Sequence, residues 1–214
     1  MLNWKGAVLF LLTVGLTVSQ FGWIEPKQNS GVQPLTNQVA ETGQALSAVS
    51  DLPLWNIDYA KSYIKFSGDQ AGAPFSGQWQ SWRAELQFDS AKITAAHFDV
   101  QIDIASVASG DAERDGYIVS EDFFHQARFA RARFVADEFA TDPAGFTAAA
   151  RLTMKGVTLP VTFQFRVEKS AGQTVLIGKA RLDRLAWDIG AGDWSDTSWV
   201  GQYVDVDVLV TANH

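Results

Sequence analysis

The sequence predicts an all-β fold of about eight or nine antiparallel strands, interrupted by a short helical insertion. Two features predict it. Apolar and polar residues alternate along most of the chain after residue 53, and short segments rich in Gly, Pro, Asp and Ser separate the alternating stretches. Such alternation places one face of each strand in a core and the other in water. Because hairpins repeat without long helices between them, a sandwich or a closed barrel is expected.

The alternation is clearest in residues 97–104, 157–167 and 202–210. A further long strand is predicted over residues 75–89, where Trp, Ala, Leu and Phe recur at every second position. The MKGV segment predicts a two-residue hairpin loop, with its glycine supplying a positive φ.

The first 24 residues are predicted to be a signal peptide or a membrane anchor. The apolar run from Ala7 to Val18 has the length of the hydrophobic part of a signal peptide, whereas the stretch from Gly6 to Ile24 is just long enough to cross a bilayer. Residues 25–52 are rich in Gln, Asn, Ser, Thr and Pro and are interpreted as a flexible linker. Residues 53–214 form the predicted folded domain, which is exported in either case.

The composition argues against several classes of function. The chain has 214 residues, a formal net charge of −7 and no cysteine. The negative charge argues against binding to nucleic acid and to anionic lipid surfaces. The absence of cysteine removes disulfides, thiolate metal sites, Fe–S clusters and cysteine nucleophiles.

Residues 110–134 break the alternation and carry many of the charged residues that enzymes use. Ser120 is interpreted as the N-cap of a short helical turn that has two acidic residues in its first positions. The adjacent Phe123 and Phe124 are expected to point towards the interior.

Two groups in this segment are candidates for chemistry. Asp111, Glu113 and Asp115 form either an acid–base group or a solvated helix face, and the second interpretation is favoured because no polar catalytic partner is apparent nearby. Glu121 and His125 are four residues apart and would share one helix face, but two ligands do not complete a metal site. The usual nucleophile, phosphate-loop and Cys-x-x-Cys motifs are absent from the sequence. The sequence therefore predicts a protein that is not an enzyme and has no metal site.

Aromatic residues are the remaining signal, with 14 Phe and 8 Trp. They form either the filled core of a sandwich or the wall of a barrel, whose interior can hold one small ligand. Ala148 and Ala150, in line with Phe146 and Leu152, suggest spare room inside a barrel. Both interpretations are open at the level of composition.

A set of motifs in a fixed order resembles the YceI-like family. The resemblance runs from Trp55 to Ala212, and the motifs are LWNID, SGQW, AELQFD, RDGYIVSEDFF, LTMKGVTLPVTF and WDIGAGDW. It implies an eight-stranded antiparallel lipocalin-like β-barrel in the bacterial periplasm that holds a long polyisoprenoid, such as a quinone or a polyprenyl lipid, and needs no other cofactor. It also implies that Arg114 and Asp115 form a structural ion pair or hold the backbone of their loop, and that the two adjacent phenylalanines close or line one end of the cavity.

The expected ligand-binding residues come from the apolar strand faces and from the two adjacent phenylalanines. They are Trp82, Leu86, Phe88, Phe98, Val100, Ile102, Phe123, Phe124, Phe134, Ala148, Ala150, Leu152, Phe163 and Phe165.

The predicted function is sequestration or transport of the isoprenoid, by a protein that is either soluble in the periplasm or tethered to the inner membrane. The alternative is a non-enzymatic accessory domain that binds a membrane redox protein. A membrane b-type cytochrome and a second copy of the chain are the candidate protein partners. A third hypothesis, a hydrolase, needs Ser, His or Asp side chains that converge in one pocket. A cavity lined by more alanine and valine than tryptophan favours the carrier, whereas an interior plugged by tryptophan favours the accessory domain.

Overall fold

The chain forms a curled antiparallel sheet in a computed structural model that describes residues 50–170 and 172–213. The predicted signal or anchor and most of the predicted linker lie outside the described residues. Within these ranges, no helix is long and apolar enough to span a bilayer. The α-helix α1 comprises Ala112–Val119. The strands, in chain order, are β1 (Asn56–Ile57), β2 (Tyr63–Gln70), β3 (Ala73–Trp79), β4 (Trp82–Gln87), β5 (His97–Asp103), β6 (Val107–Ala108), β7 (Arg131–Asp142), β8 (Gly145–Met154), β9 (Val157–Ser170), β10 (Gln173–Asp183) and β11 (Tyr203–Asn213).

The sheet curls until its two ends meet. Its strand order is β4-β5-β7-β8-β9-β10-β11-β2-β3-β6, and the short β1 lies beside β11. The ends of this order are joined along the chain, because β3 continues into β4 and β5 continues into β6. With each of these pairs counted as one bent strand, the sheet has eight antiparallel strands. The predicted lipocalin-like barrel is confirmed.

A two-residue kink at Gln80 and Ser81 divides the strand predicted over residues 75–89. The amide of Gln80 donates a hydrogen bond to the carbonyl oxygen of Ser106 (3.0 Å), and the amide of Asp103 donates to that of Ser81 (3.0 Å). The two bent strands therefore remain paired while both change direction, which turns the edge of the sheet inwards.

The hairpin between β8 and β9 has the predicted two-residue loop. Met154 pairs with Val157, and the loop residues Lys155 and Gly156 have φ values of 47° and 79°. Two successive positive φ values are typical of a type I′ turn, whose twist matches that of the paired strands. The tight hairpin and the positive φ of its glycine, which the sequence predicted, are confirmed.

Phenylalanine rings fill one end of the barrel. Neighbouring ring centroids are 4.9 to 6.2 Å apart. Ala148 and Ala150 are buried in the same cluster, so the room that these small residues leave is occupied by rings rather than open. The rings belong to Phe88, Phe98, Phe139, Phe146 and Phe165.

Helix α1 lies earlier in the chain than predicted. Asp111 is its N-cap, and the carboxylate accepts hydrogen bonds from the amides of Glu113 (3.0 Å) and Arg114 (3.1 Å). Ser120 follows the last helical turn, where its hydroxyl donates to the carbonyl oxygen of Tyr117 (2.7 Å). The prediction of Ser120 as an N-cap is wrong, because a serine can bond the backbone at either end of a helix.

Arg114 pairs with Asp111 and not with Asp115. Its guanidinium lies 3.6 Å from the Asp111 carboxylate and donates to the side-chain oxygen of Gln70 (2.9 Å). Asp115 instead accepts a hydrogen bond from the amide of Ser109 (2.9 Å). Both charged residues thus anchor α1 to neighbouring backbone and strands, but through separate contacts.

Residues 50–52, which were predicted to end the linker, pack on the sheet. Leu52 is buried. The side-chain amide of Gln87 donates to the carbonyl oxygens of Ser50 (3.2 Å) and Leu52. The hydroxyl of Ser50 donates to the carbonyl oxygen of Ala95.

A bulge in β7 carries a cluster of charged side chains. The pairing of β7 with β8 shifts between Ala136 and Glu138, which leaves Asp137 as the extra residue. Its carboxylate contacts Nδ1 of the buried His97 (2.6 Å) and accepts a hydrogen bond from Arg151 (3.0 Å). Partial burial acts to raise the pKa of Asp137, but the hydrogen bonds from His97 and Arg151 together outweigh it, and the pKa is lowered.

This cluster predicts an acid-sensitive contribution to stability. An aspartate whose pKa is lowered on folding stabilises the fold above its unfolded pKa of about 3.9, and the contribution is lost as the pH falls through the native pKa. We expect Asp137→Asn to reduce the loss of stability between about pH 5 and pH 3. At pH 7 it should cost less than about 1 kcal/mol, because the carboxylate is partly exposed. Urea denaturation across this pH range measures both effects. Asp207→Asn, at an exposed position on β11, is the control. A pH slope unchanged by Asp137→Asn would contradict the prediction.

Candidate functional site

An apolar cavity lies inside the barrel beside the phenylalanine-filled end. It offers about 210 Å³ to the centres of water-sized molecules, whereas a single buried water needs roughly 10–15 Å³. Of its 30 lining residues, Arg184 alone is charged and the others are apolar. A wall of this kind suits hydrocarbon and gives water few hydrogen-bonding partners.

Ten of the fourteen residues predicted to bind a ligand line this cavity. They are Trp82, Leu86, Phe98, Val100, Ile102, Phe123, Phe124, Phe134, Leu152 and Phe163.

The other four, Phe88, Phe165, Ala148 and Ala150, do not line the cavity and belong to the packed end of the barrel. Phe165, Ala148 and Ala150 are buried positions of their strands, and Phe88 is buried one residue beyond the end of β4, as the alternation indicated. Alternation shows which side chains point inward, but not whether a given position meets open space or another ring.

Sequence reasoning omitted the wall that β11 and β2 form. Their alternation was visible, yet these residues were treated only as evidence for strands and not as cavity lining. The register joins the two strands across the wall, with Val206 opposite Phe66 and Val208 opposite Ile64. The missed residues of this wall are Ile64, Phe66, Val204, Val206, Val208 and Val210.

Phe163 forms the boundary between the cavity and the packed end. Its ring centroid lies 5.6 Å from that of Phe134 and 5.6 Å from that of Phe165. Gly178 on β10 makes this position possible, because a Cβ there would lie 2.1 Å from the Phe163 ring. The ring therefore lies directly on the backbone of the neighbouring strand.

The other end of the cavity is covered by α1, residues 120–130 and residues 184–202, which supply Ile118, Phe123 and Ile189 to the lining. Hydrogen bonds join these segments. The amide of Gly190 donates to the carbonyl oxygen of Asp122 (2.9 Å), and Lys155 donates to the same oxygen (2.9 Å). The cover is therefore tied to itself and to the β8–β9 turn.

Arg184 organises the backbone of the cover. Its Nε–H donates to Gly201, and its two terminal nitrogens donate to four further residues, at distances of 2.6 to 2.9 Å. A guanidinium has five N–H donors, and all five are used here. The cavity therefore meets an arginine with no donor left for a ligand. The four further carbonyl oxygens belong to Ile189, Gly190, Trp194 and Val200.

Burial lowers the pKa of Arg184, and the neighbouring Asp183 opposes this effect. An arginine nevertheless remains protonated in proteins, so its charge is balanced mainly by the surrounding carbonyl dipoles. Gly190 has a φ of 63°, and a Cβ there would lie 2.6 Å from a terminal nitrogen of the guanidinium. The chain can therefore wrap closely around the arginine.

The acidic residues of the helical insertion do not converge on a reaction centre. Asp111 and Asp115 bond to backbone amides, as described above. Glu121 and His125 do not share a helix, because α1 ends at Val119 and His125 has a φ of 48°. Among the residues that the structure describes, no group of three His, Asp or Glu side chains is placed to hold a metal ion.

A curled antiparallel barrel with an apolar interior cavity is the architecture of small-molecule binding barrels of the lipocalin type. The chain belongs to the YceI-like family, whose domain model matches residues 55–212. The resemblance found in the motifs is thereby confirmed.

Two proteins with the name UPF0312 illustrate the sequence similarity. The one from Shewanella denitrificans is 35% identical over 107 residues, which cover 49% of this chain and 56% of that protein. The one from Pseudomonas syringae pv. tomato is 30% identical over 140 residues, which cover 64% of this chain and 71% of that protein. The chain thus spans little more than half of the Shewanella relative.

Solved structures share the fold. BcnA from Burkholderia cenocepacia is 27% identical, with a TM-score of 0.69 over 74% of this chain and 100% of its own. A polyisoprenoid-binding domain from Saccharophagus degradans, implicated in plant cell wall breakdown, is 16% identical, with a TM-score of 0.57 over 76% and 98%. At 16% identity, the likeness to the second structure shows the fold alone.

The arginine-centred cover predicts a large stability effect. We expect Arg184→Lys to lower the free energy of unfolding by about 3 kcal/mol, because a lysine has three donors and leaves buried carbonyl groups unpaired. Urea denaturation monitored by tryptophan fluorescence measures the change. Arg181→Lys on β10 is the matched control, since that side chain is exposed, and it should change stability by less than about 0.5 kcal/mol. Equal effects of the two substitutions would contradict the structural role of Arg184.

Proposed function

We propose that the chain binds a long polyisoprenoid lipid, with the hydrocarbon tail in the barrel cavity, and sequesters or carries it. The observation that carries this proposal is the apolar wall, in which the single charged residue, Arg184, has all its donors bonded to backbone. The ligand that fits such a wall is one whose buried part has no polar groups.

Hydrocarbon burial by itself supplies enough free energy for such binding. Each buried CH₂ contributes about 0.8 kcal/mol, so an isoprenoid tail gains many such increments without a charged contact. Methyl branches along the tail suit a wall that is lined by both valine and phenylalanine side chains.

The fold comparison supports the same class of ligand. The domain from Saccharophagus degradans is described as polyisoprenoid-binding and shares the fold over most of its length. The membership of the chain in the YceI-like family supports the same proposal.

The composition of the cavity wall favours the carrier over the accessory domain. Valine and alanine outnumber tryptophan in the lining, and phenylalanine rather than tryptophan fills the closed end. The interior is therefore filled at one end only.

We place this activity in the periplasm because of the N-terminal apolar run from Ala7 to Val18. The membrane b-type cytochrome and the homodimer stay predictions from the sequence.

Mass spectrometry of the full-length chain tests the proposal directly. The protein would be exported to a bacterial periplasm, purified without detergent and analysed under native conditions before lipid extraction. We expect one isoprenoid lipid bound per chain. A folded protein that is empty and takes up no prenyl lipid on addition would overturn the proposal.

A cavity-filling substitution should reduce lipid binding without unfolding the protein. Ala180 lies on β10 and lines the cavity, so Ala180→Phe places a ring in the space proposed for the tail. We expect lipid occupancy to fall at least about tenfold, which corresponds to roughly 1.4 kcal/mol. The matched control is Ala149→Phe, the same substitution at an exposed position of β8. If both variants kept full occupancy, the tail would not lie in the cavity.

A further inference from the structure

A polar depression lies on the outside of the barrel, against the wall that encloses the cavity. Its volume is about 370 Å³. One side is formed by Tyr59, Ser62 and Tyr63, and the other by residues 78–82, which include the kink between β3 and β4. We call it the kink cleft.

The kink cleft exists because the sheet lacks part of a hydrogen-bond ladder at this place. β2 pairs with β3 only as far as Trp79. Beyond it, β4 has a long strand partner only on its β5 side within the described chain. Two single bonds cover its other edge, one from the amide of Ala84 to the hydroxyl of Tyr59 (3.2 Å) and one from the amide of Trp55 to the carbonyl oxygen of Leu86 (2.8 Å).

Two tryptophans separate the kink cleft from the cavity. Trp79 and Trp82 line both spaces. The Trp82 ring centroid lies 4.9 Å from that of Tyr59 on the outer side, and the Trp79 centroid lies 5.4 Å from that of Phe66 on the inner side. Movement of two indole side chains would therefore join the two spaces without breaking a strand pair.

Neutral hydrogen-bonding groups face the kink cleft. The side-chain amides of Gln78 and Gln80 have no hydrogen-bond partner within the described chain. The Tyr59 hydroxyl accepts a hydrogen bond from Ala84 and keeps its own hydrogen to donate. The cleft thus offers several donors next to aromatic rings.

Charged side chains are absent from the lining of the kink cleft. Of the lysines adjacent in sequence, Lys61 lies 3.2 Å from the carboxylate of Asp58, and Lys65 lies over the ring of Tyr63 at 4.3 Å. A phosphate group would lose hydration here without a lining cation to bind it. A flat, neutral ring with carbonyl oxygens fits both the aromatic faces and the amide donors.

We propose that the kink cleft binds the headgroup of the lipid and that this headgroup is a neutral, carbonyl-bearing ring of the quinone class. The amides of Gln78 and Gln80 donate to the ring carbonyls. The tail passes between Trp79 and Trp82 into the cavity. This inference rests on the proposed function, which supplies a tail in the cavity.

Three probes presented to the full-length chain from a cyclodextrin carrier separate headgroup from tail. They are a prenylated benzoquinone, a polyprenyl monophosphate with the same tail, and an isoprenoid hydrocarbon of similar length. In the double variant Gln78→Ala, Gln80→Ala, we expect affinity for the quinone to fall about tenfold, as two lost hydrogen bonds to a neutral ligand would produce. Affinity for the hydrocarbon should be unchanged. Gln164→Ala, at an exposed position on β9, should change neither.

The outcomes separate this inference from the proposed function. An unchanged quinone affinity, an equal loss for quinone and hydrocarbon, or tighter binding of the monophosphate than of the quinone overturns the headgroup assignment alone. Failure of the unaltered chain to bind any probe overturns both proposals. If the double variant does not fold, the headgroup assignment is tested on the unaltered chain. The signals to follow are those of the side-chain NH₂ groups of Gln78 and Gln80 in its ¹⁵N spectrum. They must shift with the quinone and not with the hydrocarbon.

Discussion

The barrel depends on the bend that carries β3 into β4 while β5 continues into β6. A sheet of eight twisted antiparallel strands leaves two edges unless its first and last strands pair. Here the two bent strands remain paired through the kink, held by bonds between Gln80 and Ser106 and between Asp103 and Ser81. The interior becomes continuous because of this closure. Among the residues that the structure describes, two single bonds cover the outer edge of β4, and the kink cleft lies at that place.

Closure creates an interior that the side chains fill unevenly. At one end, phenylalanines pack around small residues such as Ala136 and Ala148, both fully buried. Further along, valine and phenylalanine side chains line a space that they do not fill. Water would find few polar partners in an apolar space of this kind, whereas hydrocarbon needs none. The unequal filling therefore connects the packing of the barrel to its proposed use.

The cover lies over the end of the cavity opposite the phenylalanine rings. It contains a long irregular segment whose backbone polar groups must be paired. Residues 184–202 contain little regular structure, so their carbonyl groups need other partners. Arg184 bonds five of these carbonyl groups from one side chain, and it also lines the cavity. Because all five of its N–H donors are bonded to the cover, the arginine has none left to offer to the cavity. The cavity wall therefore remains apolar in spite of a buried arginine.

Period-two alternation was sufficient to predict the strands and their inward faces, because it reports directly on which side of a strand is buried. It left a sandwich and a barrel open, and the ordered motifs that resemble the YceI-like family predicted the barrel. The hairpin loop of the MKGV segment was predicted from equally local information, since the positive φ values depend on the loop residues themselves. The helix boundary was misjudged, because Asp111 and Ser120 offer similar local hydrogen-bonding groups and only their packing distinguishes them. Eight cavity residues were identified from their strand faces and two from the adjacent phenylalanines of the insertion, but the wall of β2 and β11 was omitted.

The sequence by itself determined the fold class, the family and the apolar character of the interior, since these follow from local patterns and ordered motifs. The tertiary structure alone decided where the cavity lies, which phenylalanines fill the closed end, and which carbonyl groups Arg184 bonds. Each of these depends on the distance between residues far apart in the chain. Such distances are set by strand register and by the bend at Gln80 and Ser81, neither of which leaves a periodic signal in the sequence.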